Sequence, residues 1–140
     1  MRKKIAILGS TGSIGKSLLK IISRDKNKFE IILLTANKNY KSLLKQAKIF
    51  NVKNIIIIDK NSYNTAKSIN RDSKLKIYNN YDSYNKIFSN KIDYVMSSIV
   101  GLNGLYPTIN IIKFTKKIAI ANKETIICAW NLIQKKIRKI

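Results

Sequence analysis

Short apolar runs alternate along this chain with stretches whose apolar residues recur at helical spacing. Ile5-Ala6-Ile7-Leu8 is a run of strand length, and Ile14 to Ile22 then carries apolar residues at 14, 18, 19, 21 and 22, one face of a helix. Ile31 to Ala36 and Asn54 to Asp59 are further buried-strand runs, separated by Tyr40 to Phe50 with apolar positions 40, 43, 44, 47 and 50. The spacing predicts weaker helices over Ser62 to Ile69 and Tyr81 to Phe88, with a short strand at Leu75 to Tyr78 between them. Asp93 to Ser98 reads as a strand, Leu105 to Phe114 as a helix with Pro107 in its first turn, and Lys117 to Ala121 as a strand. In the last helix, Glu124 to Ile137, the residues Ile126, Ile127, Trp130, Ile133 and Ile137 are expected to form the buried face.

Runs that are apolar throughout, rather than alternating, suit strands covered on both faces. Parallel neighbours need right-handed crossovers, usually helical. The pattern therefore predicts an α/β fold, a Rossmann-like doubly wound, mainly parallel sheet with helices on both faces. Ligands of such sheets lie beyond the carboxyl ends of the strands near the switch in strand order. The loops after Leu8, Ala36, Ser98 and Ala121 are expected to face one crevice.

Length and composition narrow the classes. At 140 residues and 45% apolar, the chain fits one domain, 1–140, and can bury a core. No apolar run reaches the roughly 18 residues of a membrane span, and Met1-Arg2-Lys3-Lys4 leads into a strand without a cleavage pattern, so a cytoplasmic location is expected. One cysteine excludes an intrachain disulfide, and the absence of histidine removes the commonest general base and the usual zinc sites. Cys128, among Ile127, Ala129 and Trp130, is expected to be a buried structural thiol. The net charge of +21 comes from lysines scattered through nearly every segment, alongside abundant isoleucine and asparagine. That trio has A/T-rich codons, so drift in base composition with solvated lysine faces is the reading preferred over nucleic-acid binding.

The chemistry begins at Gly9-Ser10-Thr11-Gly12-Ser13-Ile14-Gly15, which follows the first strand and opens the first helix. Small residues let the backbone approach phosphates, and the free N–H groups at a helix start favour negative charge. The spacing is G-x-x-G-x-x-G, and a tight strand-to-helix connection capped by Ser13 is the plainer alternative. The second strand ends Thr35-Ala36-Asn37-Lys38-Asn39, with no carboxylate to hold ribose hydroxyls and a lysine able to meet a 2′-phosphate. This favours NADP(H) over NAD, with a merely solvated Lys38 as the alternative. At Ala121-Asn122-Lys123-Glu124, Asn122 can cap the last helix and Glu124 suits its positive first turn; alternatively all three converge on the crevice. Gly101 and Gly104 follow another strand, in a loop suited to packing over a flat ring.

Taken in order, Ile7 to Gly15, Ala36 to Asn39, Ser98-Ile99-Val100-Gly101 through Gly104-Leu105-Tyr106-Pro107-Thr108, and Ala121-Asn122-Lys123-Glu124 resemble 1-deoxy-D-xylulose 5-phosphate reductoisomerase. The resemblance implies NADPH-dependent rearrangement and reduction of 1-deoxy-D-xylulose 5-phosphate to 2-C-methyl-D-erythritol 4-phosphate, in non-mevalonate isoprenoid biosynthesis. It also implies NADPH contacts from Thr11, Gly12, Ser13, Ile14, Asn37, Lys38, Asn39, Asn122 and Glu124, and substrate binding by Lys123. Asn37 stands where the family has glycine; a left-handed backbone, which asparagine tolerates, would preserve backbone contact there. The divalent metal the resemblance implies, Mg or Mn, has no acidic cluster among these residues, and no catalytic residue is assigned. The chain is thus expected to be the NADPH-binding part, inactive alone, with a homodimer or a complementing catalytic half as partners.

Two other readings stand beside it. A different small NAD(P)-binding dehydrogenase would need a proton donor such as Tyr63 with Lys67, at Tyr-x-x-x-Lys spacing, although a solvated helix face is expected there. A non-catalytic basic protein would bind nucleic acid or a partner chain instead.

Overall fold

The first strand shows why these runs are apolar throughout: Ile5 and Ile7 point to one side of a sheet, Ala6 and Leu8 to the other, and all four are buried. In the computed structural model, which describes residues 1–140, six strands form one sheet. They are β1 (Lys3–Leu8), β2 (Phe29–Ala36), β3 (Asn54–Ile57), β4 (Lys76–Tyr78), β5 (Tyr94–Ser97) and β6 (Ile118–Ile120). Every pairing is parallel, and the order is β4-β3-β2-β1-β5-β6. The switch in strand order therefore falls between β1 and β5, which pair from Ile5 with Tyr94 to Leu8 with Ser97.

Helices cover both faces. On one, α1 (Ser13–Arg24), α2 (Tyr40–Phe50) and α3 (Lys60–Ile69) bury Leu19, Ile22, Leu43, Ala47 and Ala66 against Ile5, Ile7, Leu34, Ile55 and Ile57. On the other, a 3-10 turn (Tyr81–Ser83), α4 (Tyr84–Ile87) and α5 (Leu105–Ile111) pack Tyr84, Phe88 and Ile111 on Ala6, Leu8, Leu33, Ile56 and Val95. Each fully buried large aliphatic chain contributes about 1.5–3 kcal/mol. Asn39, Asp59 and Asn122 cap the helices that follow them, accepting from the backbone N–H of Ser42, Ser62 and Thr125.

The final helix, α6 (Lys123–Arg138), corrects two expectations. Its buried residues are Thr125, Ala129 and Ile133, whereas Ile127, Trp130 and Ile137 are exposed and Ile126 lies at the surface. Positions 125, 129 and 133 form one i, i+4 seam, and at Ala129 (φ −132°, ψ 16°) the helix kinks. Cys128 lies off that seam and is exposed, so it is not a buried structural thiol. The apolar residues of this helix outnumber the buried positions, which is why spacing alone selected the wrong face. No helix is long and apolar enough to cross a membrane.

Candidate nucleotide-binding cleft

At the carboxyl ends of the strands, beside the switch between β1 and β5, lies a cleft of about 470 Å³. Its floor is the glycine turn, shaped by two close approaches. Gly9 has φ +77°, and Gly15 lies so near the turn that a Cβ there would sit 2.5 Å from the Gly9 carbonyl oxygen and the Ser10 Cα. Helix α1 thus starts against the turn itself. Its cap position is Gly12, with no side-chain cap, which corrects the reading of Ser13 as the cap. The amides of the first turn of α1 remain available to an anion.

Three elements fix the turn. The Thr35 Oγ1 atom accepts from the Gly9 N–H at 2.9 Å, and its carbonyl accepts from the Ser10 N–H, also at 2.9 Å. Just beyond β5, Ser98 Oγ donates to the carbonyls of Leu8 at 2.7 Å and Gly9 at 3.2 Å. From α2, Gln46 accepts from Ser10 Oγ at 2.8 Å and donates to the Ser10 carbonyl at 3.0 Å. Thr35, Ser10 and Ser98 are buried polar groups satisfied by one another's loops.

Of the residues selected from sequence, Thr11, Gly12 and Asn37 line the cleft, and Ser13 and Ile14 begin α1 beside it. Asn37, Lys38 and Asn39 are exposed at the end of β2, and the Asn39 side chain is engaged in capping α2. Asn37 does not take the left-handed backbone; Asn51 is the non-glycine residue with positive φ. Lys38 faces Asp59, whose carboxyl is held below its ordinary range chiefly by the backbone N–H and hydroxyl of Ser62, with Lys38 adding attraction.

The fourth loop takes part indirectly. Asn122 is 5% exposed, and its amide nitrogen donates to the carbonyls of Ile99 at 2.6 Å and Gly101 at 2.5 Å. It therefore shapes the 99–104 loop, while Lys123 is exposed and Glu124 half-buried at the start of α6 without lining the cleft. Gly104 is pressed against this same contact: a Cβ there would lie 2.6 Å from the Ile99 carbonyl oxygen and 2.7 Å from the Asn122 amide nitrogen. Gly104 is thus required by packing against the Ile99 carbonyl and Asn122, while Ile99, Val100 and Asn103 of the same loop line the cleft. Thr35, Ile58 and Tyr81 also line the cleft. Of these, the one signalled in the sequence is Thr35, a polar residue inside an apolar strand.

Tyr63 and Lys67 lie on α3 outside the cleft, Tyr63 packed on the core beneath α1, α2 and α3 and Lys67 Nζ 5.5 Å from its ring centre.

A family model described as 1-deoxy-D-xylulose 5-phosphate reductoisomerase matches residues 5–130. The chain belongs to this family. The reductoisomerase of Pelagibacter ubique (strain HTCC1062) is 62% identical over 139 residues, 98% of this chain and 36% of that protein. That of Phocaeicola vulgatus is 43% identical over 134 residues, 95% of this chain and 35% of that protein. Among solved structures, the Zymomonas mobilis reductoisomerase in complex with NADPH superposes with a TM-score of 0.89 at 34% identity, covering 99% of this chain and 37% of that one. A reductoisomerase solved with NADPH, fosmidomycin and magnesium gives a TM-score of 0.88 at 31% identity, covering 98% of this chain and 34% of that one. The chain thus spans about a third of the length of the reductoisomerases it matches. Their sheet and helices confirm the Rossmann-like reading of the fold.

Proposed function

We propose that residues 1–140 form the NADPH-binding part of a 1-deoxy-D-xylulose 5-phosphate reductoisomerase. The observation that carries this is the uncapped start of α1, which opens with Thr11 and Gly12 onto the cleft at the strand switch. The Zymomonas mobilis relative, of the same fold, was solved with NADPH. NADPH supplies hydride when bound. The amides of Thr11, Ser13 and Ile14 and the hydroxyls of Thr11 and Ser13 hold the pyrophosphate, because a helix start combines unpaired donors with a positive dipole end, while Gly12, whose N–H donates to the Gly9 carbonyl at 3.2 Å, lets the phosphates approach the backbone. Asn37, Lys38 and Asn39 receive the adenosine 2′-phosphate, with Lys38 as its counter-charge. Asn122 acts on the nicotinamide side by fixing the 99–104 loop, Glu124 stands beside it, and Lys123 meets the phosphate of 1-deoxy-D-xylulose 5-phosphate.

The divalent metal does not fit these residues: no group of three or more His, Cys, Asp or Glu side chains converges anywhere in the chain. Rearrangement to 2-C-methyl-D-erythritol 4-phosphate is assigned to a longer polypeptide, or to a complementing half or second copy, of which this domain is the cofactor-binding portion. A cytoplasmic setting accords with a lone free thiol, Cys128.

Calorimetric titration with NADPH and NADH tests this reading. Saturable binding that prefers NADPH is expected, with Lys38→Ala weakening NADPH about tenfold, the scale of one lost charged hydrogen bond, and leaving NADH nearly unchanged. Thr11→Val should weaken both. Absence of saturable binding, or equal affinity for the two nucleotides, would overturn it.

A further inference from the structure

One wall of the cleft is an aromatic ring that the glycine motif and the family resemblance leave without a role. Tyr81 follows the edge strand β4, and Asn80 fixes the turn that carries it, accepting from the Ser83 N–H at 3.2 Å and Ser83 Oγ at 3.1 Å. The Tyr81 ring packs on Tyr84, with centroids 5.8 Å apart and planes inclined by 48°. Tyr84 is itself fully buried against Phe88 and Phe114. A half-buried ring anchored this way is rigid before any ligand arrives. On the side of β2 and β3 the cleft is lined by Thr35 and Ile58 together with this ring, whereas the glycine-turn end presents backbone amides. Burial pushes the Tyr81 phenol up to about 12, with the Thr35 hydroxyl drawing it partly back. At neutral pH it is an uncharged O–H donor.

The geometry of the sheet decides which end of a dinucleotide this wall meets. With the pyrophosphate over β1, the two nucleoside halves extend to opposite sides of the switch, one over β2 and β3, the other over β5 and β6. Ile58 follows β3, and Lys38, the counter-charge for a 2′-phosphate, follows β2. Resting on the NADPH reading above, we propose that Tyr81 is an adenine-recognition residue: its ring packs against the base and its hydroxyl donates to a base nitrogen. An apolar slot with one oriented polar group is the arrangement that selects a flat heteroaromatic ring over a sugar or an aliphatic tail.

Titration of wild type, Tyr81→Leu and Tyr81→Phe with NADPH and with adenosine 2′,5′-bisphosphate, which lacks the nicotinamide half, tests this. In Tyr81→Leu both ligands should weaken by the same factor, about 10- to 100-fold, the range of a lost base–aromatic contact. Tyr81→Phe, which keeps the ring, should lose only a few-fold. As a second readout, the chain is labelled with fluorotyrosine and the Tyr81 resonance assigned by its loss in Tyr81→Phe. This ¹⁹F signal should shift when adenosine 2′,5′-bisphosphate is added to wild type, whether or not Tyr81→Leu folds. If wild type binds both ligands while folded Tyr81→Leu stays within twofold of it, or if the resonance does not move at saturation, the assignment of Tyr81 falls and the cofactor reading stands. If wild type binds neither ligand, both fall together.

Discussion

Gln46 grips Ser10 with both ends of its amide, accepting from the hydroxyl at 2.8 Å and donating to the carbonyl at 3.0 Å. Ser10 is fully buried, so removing that partner leaves polar atoms without water, at a cost of about 1–3 kcal/mol. Gln46→Leu is therefore expected to lower the unfolding free energy by that amount, read as a lower urea midpoint with no change in slope. NADPH affinity should fall several-fold, because Ser10 is then held only at the Thr35 carbonyl, by its N–H at 2.9 Å and a long hydroxyl bond of 3.4 Å, while Gly9 keeps Thr35 and Ser98. Unchanged midpoint and affinity would show that α2 does not position the turn. Sequence pattern does not distinguish this glutamine from a solvated one, since its partner is 36 residues away. Tyr81 escapes for the same reason: it lies after an edge strand and meets the cleft only because the chain turns back beneath the sheet. Gly9, Gly15 and Asn122 are legible because a turn, a close approach and a helix cap each demand their residue type locally.

At the scale of elements, β1, β2, β3, β5 and β6 were legible as short runs rich in apolar residues and α2 because Leu43 and Ala47 share one face, whereas edge strand β4, Lys-Ile-Tyr, carries little apolar signal of its own. Helix α6 was misread because its apolar residues surround most of the axis, leaving tertiary contacts to choose Thr125, Ala129 and Ile133. The sheet's amino-terminal end carries a joint that no motif announces. The Asp93 carboxylate accepts from the Lys4 N–H at 2.9 Å and from Lys116 Nζ at 2.9 Å, linking the entries to β1, β5 and β6. The Lys116 ammonium first, then the Lys4 amide, hold its carboxyl below the ordinary value of 3.8. A carboxyl whose folded-state pKa lies below its unfolded one stabilises the fold at pH values above the unfolded pKa, and the contribution is lost as pH falls through the folded value. Asp93→Asn should accordingly lower the thermal midpoint at pH 7, and its difference from wild type should shrink in acid, below about pH 4. A difference that stays constant down to acid would mean that the carboxylate's charge plays no part in the joint.

For the whole molecule, two surface features oppose each other. The chain carries 28 Lys and Arg against 7 Asp and Glu, so copies repel at low ionic strength. Yet α6 leaves Ile127 76%, Trp130 49%, Leu132 53% and Ile137 51% exposed, more apolar surface than a solitary helix face ordinarily presents to water. In the longer protein proposed above, this face would be the place for further polypeptide to pack; in the chain alone, charge repulsion opposes its burial between copies. Salt should then act in a definite direction, because it screens the charges while leaving apolar attraction intact. Sedimentation is expected to show monomer at low ionic strength and growing association as salt rises, with hydrophobic dye binding throughout. Trp130→Lys combined with Ile127→Lys should stay monomeric at every salt concentration. A basic nucleic-acid binder behaves oppositely, its complexes dissolving as salt rises. A wild-type chain that is monodisperse at all ionic strengths and binds no dye would show that α6 needs no cover, and the proposal that further polypeptide packs there would fail.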